Sequence, residues 1–321
     1  MRLLVTGGAG FIGSNYVRYV LGHSDDAVTV YDALTYAGNP DNLRDLEGDP
    51  RFRFVKGDIT DPVGLEEAMA DHDAVVHLAA ESHVDRSIVS PGDFVRTNCD
   101  GTNVVMDVAR RTGAGRVVHV STDEVYGSVP VGSSTEEDRL DPRSPYSASK
   151  AGSDLIALAH ASTHGLPVVV TRSSNNFGPY QFPEKLVSLF VTNLLDGRPV
   201  PLYGDGLHVR DWCFVEDNCA AIDLVLRAGA AGRIYNIGAG NEVSNRELTD
   251  RLLRLCGAGP ELVEQVPDRL GHDRRYSLDT SRIAALGWRP QHDLDDALAA
   301  TVAWYRANRW WWEPLKTGDR S

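Results

Sequence analysis

Residues 6–13 read TGGAGFIG, directly after the apolar run Leu3-Leu4-Val5. Gly7, Gly10 and Gly13 stand at GxxGxxG spacing. Glycines so placed let a backbone turn from a strand into a helix and approach a pyrophosphate, whose charge is stabilised at the helix N-terminus. Alone, such a spacing is only suggestive. Asp32 supplies the context the motif requires: it closes the second predicted strand, about 20 residues beyond the glycines. An acid there accepts hydrogen bonds from an adenosine ribose and repels a 2′-phosphate, which predicts NAD rather than NADP. Asp58 and Ile59, after the third predicted strand, are placed to flank the adenine.

Outward from this loop, short β-branched runs alternate with amphipathic or Ala-rich segments. Leu3–Thr6, Val28–Asp32, Phe52–Lys56, Ala74–Leu78, Val117–Ser121 and Val168–Thr171 read as strands of βαβ units. The near-continuous apolar run AVVHLAA, which holds His77 as a core residue, implies a sheet covered on both faces. The fold class expected is α/β: a doubly wound parallel Rossmann sheet with a smaller mixed C-terminal substrate-binding region. Past Thr171 the Gly/Pro-rich stretches NNFGPYQFP, LLDGRPVPLYGDG and GHDRR change the texture. The boundary is therefore drawn between a cofactor domain at 1–172 and a substrate region at 173–321, with RIYNIG (233–238) rejoining the first sheet.

A formal net charge of −13 argues against nucleic acid as a partner. No run of 18 or more apolar residues appears, and no basic leader precedes Leu3, so a cytoplasmic chain without membrane contact is expected. Cys99, Cys213, Cys219 and Cys256 form no CxxC pair and read as buried thiols in a reducing compartment, with no metal site. The segment Ser147–His164 carries Ala, Leu or Ile on more than one helical face, which predicts a homodimer built through it. Trp304 and Trp310–Trp312 read as a tail helix docking on its own protein.

Two further features carry chemistry. Tyr146 and Lys150 lie at i, i+4 and project from one helix face. A phenol of pKa about 10 is a poor base near neutrality, and a nearby ammonium would lower it. STDEVYG (121–127) sets Asp123 and Glu124 side by side at a strand end.

With TGGAGFIG, Asp32, Thr122 and YSASK (146–150), nearly the whole chain resembles the extended short-chain dehydrogenase/reductase family. Within it, STDEVYG, HLAAESHVDRS (77–87), SSNNFGPYQFPEKL (173–186), RDWCFVED (210–217) and DRLGHDRRY (268–276) resemble the nucleotide-sugar 4,6-dehydratases that act on dTDP-glucose. The resemblance implies that Tyr146, supported by Lys150 and Thr122, accepts the C4 hydroxyl proton while hydride leaves for a tightly held NAD. It further implies that Glu124 removes the C5 proton and that Asp123 protonates the departing C6 hydroxyl. Besides the glycines and Asp32, it assigns Phe11, Ile12, Leu34, Thr35, Asp58 and Ile59 to the cofactor. Leu78, Ala79, Ala80, Thr97, Tyr146, Lys150 and Asn176 complete that set. To the substrate it assigns Arg210 and Arg269 for the diphosphate, with Ser82, Thr122, Asn175, Lys185 and Leu186. Pro201, Tyr203, Asn245 and His272 are also substrate contacts on this pattern. Leu270 stands where the family pattern has proline, and no loss of function is expected from it. A UDP-glucose 4,6-dehydratase would share the chemistry. A 4-epimerase would not need the acid pair, and a non-catalytic NAD-sensing protein would have little use for Tyr146, Lys150 and both acids at once.

Overall fold

Strands form where apolar residues can be covered on both sides, and alternation along each strand divides them between two helical layers. The computed structural model describes residues 1–317. In chain order the strands are β1 (Arg2–Thr6), β2 (Ala27–Asp32), β3 (Phe52–Lys56), β4 (Ala74–His77), β5 (Arg116–Thr122) and β6 (Val168–Ser173). They continue with β7 (Asn175–Phe177), β8 (Val200–Tyr203), β9 (Val209–Phe214), β10 (Ile234–Ile237), β11 (Glu242–Ser244) and β12 (Val263–Val266).

Seven strands make one sheet in the order β10-β6-β5-β4-β1-β2-β3, parallel throughout. This is the doubly wound sheet expected, and its strand order reverses between β1 and β4. Ligands of such sheets bind outside the carboxyl ends of the strands at that reversal. On one face Leu3, Val5, Val28, Val30, Val76 and Val118 pack with the helices Phe11–His23 and Val215–Ala228. On the other, Leu4, Val75, Val117, Val168 and Val170 pack with Pro62–Met69, Thr102–Thr112 and Pro145–His164. The last of these starts at Pro145, two residues before the expected Ser147, because Ser144 and Ser147 form a reciprocal capping box around it.

Beyond β6 the chain builds a three-stranded mixed sheet, β11-β9-β7, and a parallel pair, β12-β8. These frame a separate apolar cluster that includes Phe177, Phe190, Trp212, Leu252, Leu298 and Trp312. The chain does not stay there: the Val215–Ala228 helix and β10 both return to the large sheet.

One expectation about side chains needs correction. Cys213 and Cys219 are buried free thiols, whereas Cys99 and Cys256 are only half-buried, because each lies toward the edge of a helical segment rather than under the sheet. Of the terminal tryptophans, Trp311 and Trp312 are buried and Trp310 stands exposed over Arg44. The Trp311 indole donates to Asn42 Oδ1 at 2.7 Å and Trp312 to the Tyr305 carbonyl at 2.7 Å, so the tail helix does dock on its own chain. Among the described residues no helix is long and apolar enough to cross a membrane.

Because Trp312 is fully buried in the second cluster, Trp312→Ala is expected to cost about 3–5 kcal/mol. Urea unfolding monitored by far-UV circular dichroism checks this, and a loss below about 1 kcal/mol would contradict the packing described.

Candidate active site

The glycine loop is held open to a ligand by backbone contacts that tolerate no side chain. Gly7 sits at φ +71°, and a Cβ there would lie 2.5 Å from the Ala79 nitrogen at the end of β4. A Cβ on Gly13 would lie 2.2 Å from the Gly7 oxygen. The following helix has Gly10 as its N-cap with no side chain capping it, so its first N–H groups remain directed to the strand ends. Asp32 closes β2 and fixes this loop, accepting from the Ala9 N–H at 3.0 Å and the Leu34 N–H at 2.8 Å. Burial pushes its carboxyl up, and those two donors counter the rise.

One cavity of about 460 Å³ runs from this loop, past the end of β5, to the segment carrying Arg269 and His272. Every residue assigned above to cofactor, catalysis or substrate lines it except Leu34. Leu34 adopts φ +54° in the turn after β2 and contributes its N–H to Asp32. Thr35, one residue on, reaches the cavity instead. The loop fits a dinucleotide: a cradle that a Cβ would fill, an open helix N-terminus, the Asp32 carboxylate, and the buried Asn176 Oδ1, which has no hydrogen-bond partner among the described residues.

At the end of β5, Thr122 caps a short 3₁₀ turn, accepting from the Glu124 N–H at 3.3 Å, and this turn swings Asp123 and Glu124 into the cavity. Gly127 ends the turn at φ +73°, where a Cβ would lie 2.3 Å from the Asp141 oxygen. Burial first, then the neighbouring Glu124, drives the Asp123 carboxyl well above the usual carboxylate range. Burial also raises Glu124, against the pull of Arg269, Lys185 and Arg210. The environments of the pair thus differ: burial and its neighbour's charge favour the protonated form of Asp123, on which Arg210 acts in opposition, while Glu124 faces three cations.

Tyr146 and Lys150 occupy the first turns of the Pro145–His164 helix, both buried. Contrary to the expectation that the lysine lowers the phenol, burial and the Glu124 charge raise Tyr146, against a hydrogen bond from Thr122. The Lys150 ammonium donates to the Val120 carbonyl at 2.8 Å, and burial lowers it to about 8. Desolvation of a phenolate here outweighs an ammonium whose hydrogen bond points at the strand.

Arg210 is no surface charge: at 4 % exposure it donates to the Val209 and Asp273 carbonyls and stacks over Tyr276 at 4.1 Å. Lys185 donates to the Ser82 carbonyl at 2.6 Å. Among the described residues, the buried oxygens Asn175 Oδ1 and Asn245 Oδ1 have no hydrogen-bond partner. His272 is stacked on His208 with centroids 3.7 Å apart, and Asp268 lies 2.6 Å from the first ring and 3.3 Å from the second. Leu270 is 80 % exposed at the tip of this loop.

Several site residues were not singled out in the sequence. Glu184 lines the cavity and accepts from Tyr36 at 3.0 Å, and its position inside the quoted SSNNFGPYQFPEKL was the available signal. Tyr276 lies against the Arg210 guanidinium and has its phenol pushed up by burial and then by the Glu124 charge, although it follows Asp123 by more than a hundred residues. His208 gave no local signal.

The family described as GDP-mannose 4,6 dehydratase matches residues 4–301. The chain belongs to that family. Among relatives of this GDP-mannose 4,6 dehydratase family member, a dTDP-glucose 4,6-dehydratase of Streptomyces griseus is 59% identical, covering 98% of this chain and 97% of the relative. A dTDP-glucose 4,6-dehydratase of Streptomyces niveus is 55% identical, covering 100% of this chain and 97% of its own. A dTDP-glucose 4,6-dehydratase of Streptomyces venezuelae, solved with NAD bound, superposes with a TM-score of 0.97 at 58% identity over 98% of this chain and 100% of that one.

Gly7→Ala places a methyl group against the Ala79 backbone at a φ that side chains avoid, so the variant should purify with much less NAD than the unaltered protein. Release by denaturation and quantification of the nucleotide checks this. Undiminished NAD content would show that the loop is not the dinucleotide cradle.

Proposed function

We propose that the chain is a dTDP-glucose 4,6-dehydratase, an NAD-dependent lyase that forms dTDP-4-keto-6-deoxyglucose. One observation carries this reading: two adjacent acids of contrasting electrostatic surroundings project beside Tyr146 into the cavity that begins at the dinucleotide loop. An oxidation alone needs one proton acceptor, whereas removing water across C5–C6 needs two more proton transfers. NAD, when bound, supplies a positive nicotinamide that takes hydride from C4 and later returns it to C6. Tyr146 takes the C4 hydroxyl proton, with Thr122 holding that oxygen and Lys150 providing positive charge. The 4-ketone acidifies C5–H, Glu124 removes that proton, Asp123, whose protonated form burial favours, donates to the leaving C6 hydroxyl, and Glu124 returns a proton to C5 as hydride reaches C6. Because the cofactor is regenerated in each turnover, tight retention costs nothing.

Arg210 and Arg269 are placed to meet the diphosphate, with Lys185, Asn175 and Asn245 providing polar contacts in the same cavity. We assign residues 1–172 with β10 mainly to the cofactor, and the remainder to the nucleotide sugar. A homodimer through the Pro145–His164 helix is supported by Leu155 and Val95, which stand 60% and 56% exposed. Four free cysteines support a reducing, cytoplasmic setting.

Incubation with dTDP-glucose and with UDP-glucose tests reaction and nucleotide together: the 4-keto-6-deoxy product is expected from the first. Product from UDP-glucose alone would overturn the nucleotide assignment, and a C4 epimer would overturn the reaction. Glu124→Gln keeps shape but loses the base, so C4 oxidation should proceed and strand reduced cofactor, seen as a persistent near-ultraviolet nicotinamide band. Product formation should fall by roughly 10²–10⁴-fold, without solvent deuterium at C5. Wild-type turnover with deuterium at C5 would sink the role of Glu124.

A further inference from the structure

Behind Tyr146 and Lys150, away from the cavity, lies a layer of buried charge that the chemistry does not touch. Asp154 is 0 % exposed, one helical turn beyond Lys150, so the two side chains share a helix face. Arg172 on β6 donates through Nε to Asp154 Oδ2 at 2.9 Å. His119 on β5 brings Nε2 to 3.3 Å from the other Asp154 oxygen and to 3.1 Å from Ser153 Oγ. The Arg172 guanidinium also packs over the Tyr126 ring at 4.7 Å. Asp154 lines no part of the cavity and so touches neither substrate nor cofactor.

We propose that Asp154 is a positioning residue for the Tyr146–Lys150 pair: locked by Arg172 and His119, its carboxylate keeps the buried Lys150 ammonium charged and aimed. Lys150 has a neutral hydrogen-bond acceptor, the Val120 carbonyl, and an isolated ammonium out of water tends to shed its proton. The groups bearing on it can be named element by element. Asp154 comes from its own helix, Cys99 from the segment Val95–Gly101, His119 from β5 and His77 from β4. His77 is held between Thr6 at 2.7 Å and Thr102 at 3.0 Å, and burial keeps both imidazoles from charging. Cys99 is a thiol that burial keeps protonated. Among the described residues, Asp154 is thus the carboxylate that supports the lysine. Around Asp154 itself stand Arg172, His119 and Ser121; burial works to raise its carboxyl, and these partners together bring it below its ordinary range. The pairing with Arg172 therefore keeps Asp154 ionised.

This inference rests on Tyr146 and Lys150 being the proton-handling pair, and its test separates the two. The readout is the pH dependence of reduced-cofactor formation in a single turnover with dTDP-glucose, using holoenzyme. Asp154→Asn, similar in shape but uncharged, should move the alkaline limb to lower pH by about 1–3 units, the range for losing one close opposite charge, with the deficit growing as pH rises. Arg172→Gln removes a partner that keeps Asp154 ionised against burial, so it should move the limb to lower pH as well. A shift confined to the alkaline limb in both variants is not what loosened packing produces. NAD content and melting temperature establish that each variant is folded. An unshifted limb in folded Asp154→Asn, or a loss equal at every pH, overturns the proposal. If Asp154→Asn does not fold, Arg172→Gln decides, and a limb that stays or moves up overturns it. Tyr146→Phe with wild-type turnover would instead remove the pair on which the inference rests.

Discussion

Desolvation of charge at the carboxyl ends of the parallel strands is the constraint around which the molecule is arranged. Each of β1, β2, β4, β5 and β6 delivers its last residues to the same rim, and at β5 that rim holds two carboxyl groups side by side. Out of water neither ionises freely, so neighbours decide which one does. Arg210, Arg269 and Lys185 come from the second half of the chain and bear on Glu124, while Asp123 sits deeper and feels its neighbour's charge. The acid-base assignment therefore depends on the two halves closing over each other.

The same logic recurs one layer further in. Lys150, Asp154, Arg172 and His119 are buried on three adjacent elements, with Asp154 between the Arg172 guanidinium and the His119 ring and Lys150 bonded to the Val120 carbonyl. Removing a single member of such a network leaves an uncompensated charge, which is why networks of this kind hold a geometry more than they add net stability. The parallel pairing of β5 with β6 sets Ser121 opposite Arg172, so the sheet register itself positions the guanidinium near the helix that carries Asp154.

Much of this was legible in the sequence because it is locally encoded. The glycine loop, the β-branched strands, the acid pair after β5 and the Tyr146–Lys150 spacing each declare themselves within a few residues. What escaped depends on three-dimensional surroundings. Leu34 lies in a left-handed turn with its N–H on Asp32 and does not line the cavity, a local geometry that a family resemblance does not show. The raised phenol of Tyr146 follows from burial and from Glu124 across the cavity, not from the lysine on its own helix. Glu184 and Tyr276 approach the site from distant segments, and Cys99 and Cys256 are half-buried because of where their helical segments lie.

The return of β10 to the large sheet has a consequence for how the chain is made. β10 pairs with β6 and forms that edge of the sheet, so β6 has no partner on that side until residue 237 has been synthesised. A nascent chain that has emerged only through β6 exposes an apolar, parallel edge strand, the kind of surface that recruits other chains. The Val215–Ala228 helix, which covers one face of the sheet, arrives just before β10. Folding on the ribosome is thus obliged to wait for the middle of the second half, and the cofactor-binding half cannot be completed as an early, independent unit.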